Sequence, residues 1–316
     1  MKRPLLEKKF ESYLSLRESL GIPIQSPMIL QDFVEYLDRQ DRRASITAQV
    51  VLDWVCDKPY GRGVSAQYAR IHLARGFLHY LKPSFSDIEI PGTGLIAKPH
   101  RSTPYVFSNN ELVDLLRAAG EPSLKSRIFP YSLQTLLGVM ASTGLRSGEA
   151  IKLQISDCHL DGTVPRLLIR RAKNDKTRWV PVHATTADRL RHYARWRLGI
   201  KDRGQADRLF ITKRVQGIHR IALWRIFHEL VQRLGIVARA GQARPTLHSL
   251  RHSFAVHRLR SWYEGGADVH SMLPSLSVYL GHECLAASYW YLTATPELMN
   301  AASQRFQNYV ESGDAI

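Results

Sequence analysis

A chain of 316 residues with 44% apolar and 23% charged content is long enough for two buried cores and too evenly mixed for wholesale disorder. It contains no apolar run near the roughly 20 residues of a membrane helix, and its opening, MKRPLLEKKF, lacks an apolar signal core; a cytoplasmic protein with no membrane partner is expected. The net charge of +16 is concentrated, because residues 166–260 hold 23 Lys and Arg against five Asp and Glu, a field that suits a polyanion such as DNA or RNA.

The first eighty residues read as four short helices. Leu6, Phe10, Tyr13 and Arg17 step at helical spacing up to Gly21; Leu30, Phe33, Val34 and Leu37 form a second stripe. Val50, Trp54 and Val55 mark a third, and Ile71, Ala74, Leu78 and Leu81 a fourth, stopped at Lys82-Pro83. A helical bundle is expected over 1–90. Residues 91–104, rich in Pro and Gly and without a sustained period, read as a linker, and a second domain is expected over 105–316.

That domain opens with Ser108 and Glu111 at capping-box spacing. Residues 131–142 are a strongly apolar helix ending at Thr143-Gly144. Residues 166–171 and 178–182 read as two strands with a hairpin loop between them, and the remainder reads mostly helical. Residues 296–312 predict an amphipathic helix through Leu298, Ala302, Phe306 and Tyr309. The fold class expected is therefore mostly α with a small β-sheet.

Cys56, Cys158 and Cys284 are far apart and make no C-x-x-C pair, and the histidines lack a metal-ligand spacing. No bound metal and no cofactor are expected. Four other signals carry chemistry. TGLRSGE places Arg146 just past a helix end and Glu149 at the start of the next helix. RRAKNDKTRWVPV places Lys173 where strand meets hairpin loop. HSLRHSFAVH sets His248 three residues before Arg251, and LGHECLAASYWY gives His282 and then Tyr291. Cations, imidazoles and a phenol in one chain fit reaction at a phosphate. Guanidiniums bind its oxygens in pairs, imidazole or ammonium moves protons, and a phenol can attack.

In order and context these motifs resemble the tyrosine recombinases, the phage-integrase family. That family carries an Arg in G-L-R-x-x-E, a Lys in a β-hairpin, H-x-x-R-H-x-F-A-x-H, L-G-H and then a nucleophilic Tyr. The resemblance spans about residues 105–310, and in kind it extends to the helical bundle. It implies a core-binding bundle joined to an α+β catalytic domain, together clamping DNA. Arg146 and Arg251 would clamp the scissile phosphate, and His248 would donate to it or relay the proton from Tyr291. His282 would bind another phosphate oxygen, Lys173 would protonate the leaving 5′-oxygen, and Tyr291 would form a 3′-phosphotyrosine.

Glu149 would hold local geometry, and His252 and His257 would complete the motif as structural histidines. Tyr291, nine residues after His282, matches the family spacing better than Tyr289; Lys173, nine before Val182, matches better than Lys176. The twelve residues VHSMLPSLSVYL between Asp268 and Gly281, with Pro274 among them, exceed the stretch usual in compact family members, and this departure predicts an irregular loop between two helices. The bond energy kept in phosphotyrosine would make rejoining independent of ATP, and the cationic side chains would take a metal's place. The implied partner is double-stranded DNA with inverted core sites, engaged by a homotetramer on paired sites, with a sister recombinase or directionality factor as further partners. The alternatives weighed are a type IB topoisomerase, against which His248 argues, a catalytically idle DNA-binding accessory protein, which should have lost a catalytic residue, and an RNA-binding protein.

Overall fold

The computed structural model describes residues 3–24, 26–40, 45–57, 63–100, 102–122, 128–170, 177–200, 207–282, 284–294, 299–300, 303–304 and 307. These are mostly helical with one small antiparallel sheet, the class expected, and the chain divides into two compact units, Met1–Arg101 and Ser102–Ile316. The seam falls within the stretch read as linker. Among the described residues no helix is long and apolar enough to cross a membrane.

The first unit packs α1 (Arg3–Ser19), α2 (Pro27–Arg39), α3 (Ala48–Cys56) and α4 (Val64–Leu81) around one core. Leu6, Tyr13, Leu30, Phe33, Ile71 and Leu78 are buried there. Trp54 and Val55 of the third stripe are buried as expected, and Val51 takes the place expected of Val50. The Thr47 hydroxyl caps α3 by accepting from the Val50 N–H, which turns Val51, Trp54 and Val55 inward and leaves Val50 half-buried. After α4, Ile88 and Pro91 are buried and Ile90 and Ile96 pack on the same core. The front of the expected linker is therefore folded onto the bundle.

In the second unit, α5 (Asn109–Ala119) begins at the expected capping box. The Ser108 hydroxyl accepts from the Glu111 N–H, and the Glu111 carboxylate accepts from the Ser108 N–H. The apolar helix becomes α6 (Pro130–Thr143), followed by the single turn α7 (Ser147–Ala150). A sheet of order β1-β2-β3 follows: β1 (Cys158–His159), β2 (Arg166–Ile169) and β3 (Arg178–Pro181) are antiparallel, with Leu167 opposite Val180. Leu167 and Val180 bury one face of this sheet against the main core of the unit. The two-residue β1 was not anticipated, since so short a strand shows no alternation. Then come α8 (Ala184–Leu198), α9 (Arg220–Arg233), α10 (Leu247–Glu264), α11 (Val269–Leu280) and α12 (Ala286–Ala294).

The segment expected to be an irregular loop is α11, a twelve-residue helix with Pro274 inside it. Asp268 caps it by accepting from the N–H groups of His270 and Ser271, and Val269, Leu273, Leu276 and Leu280 are buried in a second core with Val256 and Leu259 of α10. Proline in a helix interior costs about 3 kcal/mol. Burying large aliphatic side chains returns about 1.5–3 kcal/mol each, so tertiary packing overrides the local breaker. The hairpin loop with Lys173 and Lys176, and Leu298, Ala302, Phe306 and Tyr309 of the expected terminal helix, lie outside the described residues.

Candidate active site

The site forms where α11 ends. Gly281 takes a left-handed conformation (φ +69°) that stops the helix, and the last carbonyls of α11 are left without intrahelical donors. Three guanidiniums supply them. Arg146 Nη2 donates to the Gly281 carbonyl at 2.9 Å, and Arg251 Nη2 to the Leu280 carbonyl at 2.8 Å. Arg178 Nε donates to the Tyr279 carbonyl at 3.1 Å and its Nη2 to that of Leu280 at 3.2 Å. Positive charge at the negative end of a helix is favourable in itself.

Each arginine reaches this point from a different element. Arg146 is the residue before α7. It follows Gly144, whose left-handed turn (φ +64°) ends α6 and whose carbonyl accepts from Arg251 Nη1 at 2.9 Å. A Cβ on Gly144 would lie 2.7 Å from Phe254 and 2.9 Å from Leu280, and one on Gly281 would lie 2.9 Å from the Arg178 guanidinium. Both motif glycines are thus fixed by backbone angle and by close approach. Arg251 is on α10, only 1% exposed. Arg178 opens β3 on the same face as Val180, and alternation along the strand turns it inward.

Glu149 ties the arginines together. Its carboxylate accepts from Arg178 Nη1 and Nη2, each at 3.0 Å, from Arg146 Nη1 at 3.0 Å, and from the Arg146 backbone N–H at 3.0 Å. Burial alone would raise its pKa, but the paired Arg178 and then Arg146 hold it below the ordinary carboxylate range. Burial, and then the Arg146 charge, pull the Arg251 pKa down to about 10, with Tyr291 and Glu149 opposing. Arg251 therefore stays charged at neutral pH. Three guanidiniums lie near this one carboxylate and two of them are bonded to it, which leaves a surplus of positive charge at the site.

The nucleophile candidate lies beside this cradle. Tyr291 on α12 is 2% exposed, and its ring stacks on that of His282 with centroids 6.2 Å apart. His282 Nδ1 is 2.7 Å from the buried Ser288 hydroxyl. His252 Nδ1 is 3.0 Å from the Tyr291 hydroxyl, and the His248 ring meets the His252 ring edge to face at 4.5 Å. Tyr289 instead is exposed, with its ring near His270. Among the expected residues, Arg146, Glu149, His248, Arg251, His282 and Tyr291 are linked through these contacts, and Lys173 lies outside the described residues.

The chain is similar to known proteins over most of its length. The model of the phage integrase family matches residues 106–297. A protein of Sinorhizobium fredii provisionally described as an integrase/recombinase, y4rB, is 33% identical over 303 residues, covering 94% of this chain and 95% of its own length. The chain belongs to the phage integrase family, the tyrosine recombinases. The tyrosine recombinase XerD of Listeria innocua is 32% identical over 235 residues, covering 70% of this chain and 69% of its own. Solved structures share the fold. The XerH site-specific recombinase bound to its palindromic difH substrate matches with a TM-score of 0.66 and 21% identity, covering 96% of this chain and 84% of that one. The Tn1549 transposon integrase with transposon right end DNA gives 0.66 and 15%, covering 95% and 98%.

Two residues of this site-specific recombinase were not given a site role from its sequence. Arg178 carried a signal, because it shares strand parity with Val180 and so occupies an inward position. His252 carried another: it is four residues after His248, on the same face of α10. Read from the sequence as structural, it sits against the Tyr291 hydroxyl.

Proposed function

We propose that this recombinase cuts and rejoins double-stranded DNA through a 3′-phosphotyrosine on Tyr291. The observation that carries the reading is the buried surplus of guanidinium charge at the end of α11, beside a buried tyrosine hydroxyl. Cleavage places extra negative charge on the non-bridging oxygens of one phosphate. Arg146 and Arg251 hold that charge with donors set in place beforehand, usually the largest single contribution to such catalysis. Tyr291 Oη forms the bond to phosphorus as the P–O5′ bond breaks. Lys173 protonates the departing 5′-oxygen, His282 and His248 donate to phosphate oxygens, and Glu149 holds Arg146 in place.

Rejoining reverses these steps. The phosphotyrosine keeps the bond energy, so ATP is not consumed, and the guanidiniums do the work a metal ion would do. Solved relatives of the fold hold DNA, among them a λ integrase dimer on a core site, which supports a duplex partner here. Four protomers on two inverted core sites complete the exchange, as integration or transposition of a mobile element requires.

The test is a nicked suicide duplex of the cognate site, incubated without ATP and with a metal chelator, then denatured. Wild type and Tyr289→Phe form a covalent protein–DNA adduct, and Tyr291→Phe forms none. An adduct that survives Tyr291→Phe but vanishes in Tyr289→Phe overturns the assignment. Specific DNA binding with no adduct from wild type overturns the chemistry.

A further inference from the structure

A phenol attacks phosphorus only as it loses its proton, and its ordinary pKa near 10 leaves about one in a thousand ionised at neutral pH. The acceptor must therefore lie within hydrogen-bond reach of the hydroxyl. His252 does: its Nδ1 is 3.0 Å from Tyr291 Oη, and their rings meet at 5.5 Å, steeply inclined. The Trp290 ring lies 5.6 Å from that of His252 and packs beside Tyr291 as well, so an aromatic wall flanks the pair. His248, three residues before Arg251 in the first turn of α10, is exposed and touches His252 ring to ring.

We propose that His252 is the proton acceptor of the cleavage step, a division of labour in which His248 serves the phosphate and His252 serves the nucleophile. The proposal rests on the reading of Tyr291 as the attacking residue. The neutral imidazole accepts the phenolic proton at Nδ1 while Tyr291 Oη forms its bond to phosphorus. The P–O5′ bond breaks, its electron pair goes to O5′, and that oxygen takes a proton from Lys173. In rejoining, the 5′-hydroxyl gives its proton back to the Lys173 amine as its oxygen attacks phosphorus, the bond from phosphorus to Tyr291 Oη breaks, and the His252 imidazolium returns its proton to the departing Tyr291 oxygen. No oxidant or co-reactant is needed.

The experiment is single-turnover adduct formation on the suicide duplex, with DNA binding measured beside it. His252→Ala slows adduct formation by about 10²–10⁴ with site binding retained. His252→Asn separates chemistry from positioning, because its side-chain amide can still hydrogen-bond the phenol but cannot take its proton. It is expected to be as slow as His252→Ala. Replacing Tyr291 with a difluorotyrosine, whose phenol ionises near neutral pH, restores most of the rate in both His252 variants and none in His248→Ala. Wild-type rates in His252→Asn, or a defect that difluorotyrosine leaves unchanged, overturn the proposal. An adduct that persists in Tyr291→Phe sinks the underlying reading instead, so the two failures are distinguishable.

Discussion

The arginine cradle and the helix of the proposed nucleophile lie side by side but are held in different ways. Arg146, Arg178 and Arg251 are tied to main-chain carbonyls of Gly144, Tyr279, Leu280 and Gly281, atoms that belong to the framework itself. Tyr291 meets His252 and His282 through side chains, on the nine-residue helix α12. The difference fits the role proposed for each. Charge that stabilises a transition state is worth most when it does not reorganise during the reaction. An attacking group must advance on phosphorus, and rotamer-held contacts allow that. Changes in the cradle should therefore cost stability and chemistry together, and changes around Tyr291 should cost chemistry alone.

Among changes to the cradle, Arg251→Lys gives the largest expected effect. A lysine is a single point charge and cannot span the Gly144 and Leu280 carbonyls while also meeting a phosphate. Adduct formation should fall by about 10²–10³, and thermal unfolding should move to lower temperature in the same variant. A slow variant of wild-type stability would break the comparison. Arg178→Ala comes next. It leaves the carboxylate of Glu149, 7% exposed, with Arg146 as its remaining guanidinium, and should cost about 3 kcal/mol in denaturant unfolding, the low end for a broken buried pair. Adduct formation should fall as well, although Arg178 has no assigned contact with substrate.

Much of this contrast was legible in the sequence, though not its cause. The spacing of Ser108 and Glu111 located α5 because a capping box is local. Gly144 and Gly281 were visible as motif letters, yet the reason for Gly281 is a guanidinium 103 positions earlier in the chain. No local pattern encodes such an approach. Pro274 misled for the opposite reason: it is a local breaker, and the burial of Leu273, Leu276 and Leu280 that outweighs it is tertiary. Val50 was read as a core residue of α3 in place of Val51 because the Thr47 cap, which sets where the helix starts, was not read. His252 was in view as a motif residue, but spacing on α10 alone does not say that α12 brings a tyrosine hydroxyl to it.

Acid sharpens the cradle's side of the contrast. The folded pKa of Glu149 lies below its ordinary value, so the stability it contributes is fully present above about pH 4.3 and is lost as pH falls through the depressed folded value. Glu149→Gln removes that charge at every pH. At pH 7 it should be less stable than wild type, by less than Arg178→Ala. Denaturant titrations of the two proteins should converge as pH falls below the carboxylate range. A gap that stays constant with pH would mean that the carboxylate's charge is not what holds the arginines.

Ser288→Ala should have the smallest effect and bears most directly on the nucleophile's side. The buried Ser288 hydroxyl is 2.7 Å from His282 Nδ1, and it orients the imidazole that stacks on Tyr291. Removing it deletes one hydrogen bond, worth about 1 kcal/mol, and fills the place with a methyl group that the same pocket accepts. If that bond sets the angle of His282, adduct formation slows about fivefold, the kinetic equivalent of that energy, while the unfolding midpoint moves little. The converse result, lost stability with an unchanged rate, would make α12 part of the rigid frame. Tyr291 would then be as preorganised as the arginines, and the attack on phosphorus would have to proceed by movement of the DNA toward the protein.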